Sequence, residues 1–112
     1  MKIYNMPIEA SLDVIGGKWK CIILCHLDMG KKRTSELKRL MPSITQKMLT
    51  QQLRELVADG IINRIVYKEV PPRVEYELSK YGESLKPILD SLCAWGKVHI
   101  KHSTSTKEQE KK

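Results

Sequence analysis

Two hydrophobic periods run along this chain, one helical and one of two residues, and they change over at Gly60. Within 43–62, Leu49, Leu53 and Leu56 recur at i, i+4 and i+7, which puts them on one stripe of a helix. Lys47, Thr50, Gln51 and Arg54 repeat at helical spacing on the opposite side, a face with no acid and no large apolar residue. Ser43 or Thr45 can cap the start, because Pro42 breaks the preceding helix. Gly60 can end it in a left-handed conformation. The pattern predicts a short capped amphipathic helix over 45–59.

Upstream, Pro7 can open a helix carrying Ile8, Leu12 and Ile15, and Gly16-Gly17 breaks it. The stretch 18–29 is apolar on nearly every side, with Trp19, Ile22, Ile23, Leu24 and Leu27, and is expected to lie mid-domain. Thr34 or Ser35 then caps a short helix that sets Leu37, Leu40 and Met41 against Lys38 and Arg39. Two short helices joined by a tight turn, the second with a polar, basic outer face, make a helix-turn-helix.

Downstream of Gly60 the period becomes two. Residues 61–67 are rich in β-branched side chains, and Val74, Tyr76 and Leu78 alternate with Glu75 and Glu77. Pro71-Pro72 between them stiffens a hairpin tip, with Arg73 beside it. A hairpin over 63–78, directly after the polar-faced helix, has the position of a wing. Ser79 can cap a last helix with a long stripe of Leu85, Ile88, Leu89, Leu92 and Trp95, and Pro87 predicts a kink or a delayed start. That stripe is long for a small domain, so part of it is expected to pack against the same helix in a second copy. From Ser103 only Ser, Thr, Lys, Glu and Gln remain, which predicts a domain over 1–102 and a disordered tail over 103–112.

Composition narrows the partners. The 112 residues suffice for one domain, and a net charge of +7 favours polyanions. Phe is absent and aromatics make up 5%, which argues against a single-strand binder built on stacking platforms. No apolar run approaches the roughly 20 residues needed to span a bilayer, and no signal-peptide pattern opens the chain. A cytoplasmic location is expected.

On a double-helical partner, Lys47, Thr50, Gln51 and Arg54, joined by Thr45 and Gln46 at the helix start, are candidates for groove contacts. Lys18, Ser35, Lys38 and Arg73 are candidates for the backbone or the minor groove. A salt bridge to a strand glutamate is the competing role for Arg73.

Catalytic chemistry finds no constellation, since Glu9 and Asp13 stand one helical turn apart with no partner group. Cys21 and Cys25 are spaced i, i+4, with Cys93 far along the chain. They are candidate redox thiols, packed core cysteines or, with the third, zinc ligands. One cysteine pair falls short of a zinc pattern, so no metal or cofactor is implied.

Four segments carry a family resemblance. They are Met-Pro-Ile-Glu-Ala…Leu-Asp-Val-Ile-Gly-Gly-Lys-Trp-Lys at 6–20, Ser-Ile-Thr-Gln-Lys-Met-Leu-Thr-Gln-Gln-Leu-Arg-Glu-Leu at 43–56, Tyr-Lys-Glu-Val-Pro-Pro-Arg-Val-Glu-Tyr at 67–76 and Leu-Cys-Ala-Trp-Gly at 92–96. In this order they resemble the HxlR family of bacterial winged helix-turn-helix regulators, over about residues 6–99. The resemblance implies an α+β, mainly helical fold: a winged helix-turn-helix with a two-stranded β-hairpin wing and dimerisation helices at both ends. It further implies a homodimeric regulator of double-stranded DNA, with helix 45–59 in the major groove and the Pro-Pro-Arg hairpin as wing. Twofold symmetry then predicts a palindromic operator with half-sites about one helical turn, or a multiple, apart. Many members carry cysteine where this chain has Met6, and a thioether cannot supply a thiolate or a disulfide. A stress sensor responsive to thiol chemistry or a small molecule, acting mainly through protein contacts, is the alternative. The effector is not legible in the sequence.

Overall fold

The computed structural model describes residues 2–110. Its elements run α1 (Pro7–Ile15), α2 (Lys20–Asp28), α3 (Thr34–Leu40), α4 (Gln46–Ala58), β1 (Ile62–Tyr67), β2 (Arg73–Leu78), a 3-10 turn (Gly82–Leu85) and α5 (Lys86–Glu110). The strands pair antiparallel in one hairpin, from Ile62 opposite Leu78 to Tyr67 opposite Arg73. Mainly helical α+β architecture with a hairpin wing is thus the observed fold.

Local sequence explains several of these boundaries. Pro7 opens α1, and the Glu9 carboxylate accepts from the Met6 N–H one residue ahead of it. The Thr45 hydroxyl accepts from the Met48 N–H at 3.1 Å and caps α4. At its other end Gly60 takes φ +73°, with Gly60 N–H donating to the Val57 carbonyl and Ile61 N–H to the Leu56 carbonyl, both at 3.0 Å. That pair of bonds is a Schellman motif, and it turns the chain straight into β1. Pro87 does not kink α5. It sits in the first turn, after the 3-10 segment, and so marks a delayed start.

The core gathers Ile23, Leu24 and Leu27 of α2, Leu37 of α3, the Leu49/Leu53/Leu56 stripe of α4, Ile61 and Ile62. Met41 and Ile44 are buried in the α3–α4 turn, so the turn is anchored from below and the two helices hold a fixed angle. Burying each of these side chains contributes about 1.5–3 kcal/mol.

Three expectations need correction. Leu89 belongs to the core of the single chain, 3% exposed, and not to a subunit interface. It lies on the side of α5 turned toward α2, while Ile88 and Leu92 beside it are exposed. The cap of α3 is Arg33, not Thr34 or Ser35: Lys32 exchanges both backbone hydrogen bonds with Tyr76, so extended chain persists through Arg33 and the helix starts at Thr34. The Glu36 carboxylate accepts from the Arg33 N–H at 2.9 Å. On β2 the apolar/polar alternation does not become buried/exposed alternation, since all six residues are half-buried. β2 is covered on both edges, by β1 and by the Lys32 backbone. α5 runs through Glu110, across part of the stretch for which composition predicts a disordered tail. The Thr104 hydroxyl bonds back to the Ile100 carbonyl at 2.9 Å, the helical alternative to a solvated tail. The last two positions of the expected tail, 111 and 112, lie outside the described residues.

Candidate nucleic-acid interface

The inner stripe of α4 is wholly buried, which commits the opposite face to the outside. Gln46, Lys47, Thr50, Gln51 and Arg54 are all exposed there. Gln46 and Thr50 lie one turn apart, amide nitrogen to hydroxyl 3.5 Å. The one acid in the body of the helix, Glu55, sits on the flank, where Gln52 donates to it at 3.3 Å. On the back of α4 the Lys20 ammonium stands 3.8 Å from the same carboxylate. Lys20 is a buried lysine that sequence reasoning missed, because a lone cation in an apolar run reads as a solvated position. The face of α4 is therefore cationic and hydrogen-bonding, and the one acid in the body of the helix stands on its flank, paired with Lys20.

The supporting candidates separate into groups. Ser35 is exposed in the first turn of α3 and shares a recess with Arg33, Thr34 and the wing residues Glu69–Val74. The Lys38 ammonium donates to the Pro42 carbonyl at 3.2 Å across the helix-turn-helix turn. Lys18 sits in the α1–α2 turn with its ammonium 4.7 Å from the Trp19 ring centroid. Arg73 is engaged inside the wing. Its guanidinium lies 4.2 Å over the Tyr67 ring and within 3.4 Å of Glu69 and 3.9 Å of Glu75. The competing reading of Arg73, a salt bridge to a strand glutamate, describes what the structure holds.

The wing's other arginine is placed differently. Arg64 pairs across the hairpin with Tyr76, on the row that begins with buried Ile62, and is itself exposed. It lines a recess of about 260 Å³ with Thr50, Arg54, Val57 and Tyr76, between α4 and the wing. Sequence reasoning passed over Arg64 because one cation in a β-branched run carries no signal until the strand register is known.

The HxlR-like helix-turn-helix family matches residues 14–104 of this sequence. The chain belongs to that family of transcriptional regulators. Among relatives of this HxlR-like chain, the HTH-type transcriptional regulator YtcD of Bacillus subtilis (strain 168) is 78% identical over 99 residues, spanning 88% of this chain and 79% of YtcD. A crystal structure of the HTH-type transcriptional regulator ytcD superposes with a TM-score of 0.83 at 74% identity, covering 86% of this chain and 98% of that one. The redox regulator HypR in its reduced form gives a TM-score of 0.85 at 53% identity, over 89% of this chain and 99% of HypR.

The HxlR-like fold also brings the thiols together. Cys21 and Cys25 of α2 and Cys93 of α5 line one shallow apolar groove with Leu89 and Leu92. The Cys21 thiol donates to the Ile15 carbonyl at 3.3 Å. Burial, and then the neighbouring Cys93, push the Cys25 thiol up to about 11, and the same two causes raise Cys21. These two groups are thiols, not thiolates, at neutral pH, which slows their attack on oxidants. Among the described residues no cluster of three or more His, Cys, Asp or Glu side chains is placed to hold a metal ion. No helix among them is long and apolar enough to cross a membrane.

Proposed function

We propose that this DNA-binding transcriptional regulator works in the cytoplasm as a homodimer on a palindromic operator, each copy setting α4 into one major groove. The observation that carries the reading is the outer face of α4, where five polar or cationic side chains stand exposed above a fully buried leucine stripe. Gln46, Lys47, Thr50 and Gln51 lie toward its N-terminal half, the part of a recognition helix that meets base edges. Thr45, Ser35 and Lys38 flank it within reach of the backbone.

Dimerisation is supported by a surface that the single chain leaves uncovered. Ile8 and Leu12 on α1 and Ile88, Leu92 and Trp95 on α5 are all exposed. The two helices adjoin at a recess of about 230 Å³ lined by Ala10, Val14, Leu85 and Ile88 among others. Leu85 is half-buried at its edge.

Selection of bound sequences from random duplex DNA tests the reading. A palindromic motif is the expected result, and absence of binding even at low salt overturns it. A thiol-responsive mode is favoured by one observation, the convergence of Cys21, Cys25 and Cys93 between α2 and α5. Unchanged operator affinity and an unchanged thiol count after diamide treatment exclude it.

A further inference from the structure

We infer that Arg54 and Arg64 together form a clamp for one phosphate of the DNA backbone, at the junction of recognition helix and wing. The inference rests on the DNA reading above and reassigns Arg54 from base recognition to backbone grip. Two guanidinium groups, one from the exposed face of α4 and one from β1, line the same recess. Thr50, Val57 and Tyr76 complete the lining, and no carboxylate is among the lining residues. Neither arginine has an ion pair among the described residues. Like charges brought together without a counter-ion repel, and an anion between them removes that cost. Guanidinium forks match phosphate oxygens in pairs, which a lysine at either position could not reproduce.

Arg73 cannot take this part from where it stands. It belongs to the opposite row of the hairpin, stacked on Tyr67 and facing Glu69 and Glu75. Arg64 is therefore the wing's backbone-gripping arginine. Arg54, in the second half of α4, lies beside it and away from the helix start that meets the bases.

The test measures affinity of the full chain for its selected operator and for random duplex DNA, across a series of salt concentrations. Arg64→Ala and Arg54→Ala are each expected to weaken both complexes by the same factor. Each should lower the slope of log affinity against log salt by up to about one. The double variant should lose less than the product of the two single factors, because both groups serve one phosphate. Arg73→Ala should leave the slope unchanged. Normal wild-type binding with an unchanged slope in Arg64→Ala overturns the clamp alone, as does a loss confined to the operator in Arg54→Ala. Fully multiplicative losses overturn the sharing of one phosphate. Failure of the wild-type chain to bind duplex DNA at all overturns the underlying DNA reading as well. Arg54 and Arg64 are exposed, so thermal melting of the variants should match the wild type.

Discussion

The ammonium of Lys20, at the start of α2, lies 3.8 Å from the Glu55 carboxylate on the back of α4. The lysine side chain is 10% exposed and its partner 43%, so the pair is asymmetric. Removing the glutamate leaves a cation held out of water without its counter-charge, whereas removing the lysine leaves an acid that water can reach. Glu55→Gln is therefore expected to cost about 1–3 kcal/mol, and Lys20→Met much less. Urea denaturation of the two variants checks the order, and a larger loss in Lys20→Met contradicts it.

Ser79 gives a second expectation. Its hydroxyl donates to the Gly60 carbonyl at 2.6 Å, with the Ile61 carbonyl at 3.0 Å, and accepts from the Gly82 N–H at 2.9 Å. Ser79→Ala strands a buried N–H and should cost about 1–3 kcal/mol. Gly82→Ala should cost more, since a Cβ there would sit 2.0 Å from the Ile61 carbonyl oxygen, a backbone atom that cannot yield. Thermal melts of both variants read this directly.

On α5, neighbouring apolar residues should give opposite phenotypes. Leu89→Ala empties a core site and is expected to cost about 2–5 kcal/mol while leaving the subunit contact in place. Trp95→Glu should leave the fold of each chain intact and shift the assembly to single chains, because Trp95 is 65% exposed in the isolated chain. Sedimentation beside denaturant titration separates the two effects.

The cysteines predict a pH dependence. Cys25 ionises near 11 when folded, well above an unfolded thiol near 8.5. Between those values the unfolded chain has released its proton and the folded chain has kept it, so stability falls as pH rises through that window. Below it the term is constant. Native Cys25 should therefore alkylate with iodoacetamide more slowly at pH 8 than in urea, its rate climbing toward pH 11. A native rate equal to the unfolded one at pH 8 contradicts this.

Much of this was legible in the residues. The Leu49/Leu53/Leu56 spacing, Thr45, Gly60 and the Pro71-Pro72 tip locate recognition helix and wing almost to the residue, because caps and turns are local chemistry. Less legible was whatever depends on a partner distant in sequence. Lys32 reads as part of a basic run until its backbone meets Tyr76 and moves the start of α3. Leu89 is indistinguishable by period from Ile88 and Leu92 until α2 is packed on one side of α5. Arg73 beside the Pro71-Pro72 tip looks suited to DNA and Arg64 gives no signal, until strand register sends them to different faces of the hairpin.

The Ser79 hydroxyl joins the last carbonyls of the α4 turn to the chain leaving β2, so the end of the helix and the base of the wing are tied together. They form one caliper. In the proposed homodimer an effector that alters operator affinity would change the distance or angle between two calipers, and the element long enough to transmit that change is α5, which extends well past the core.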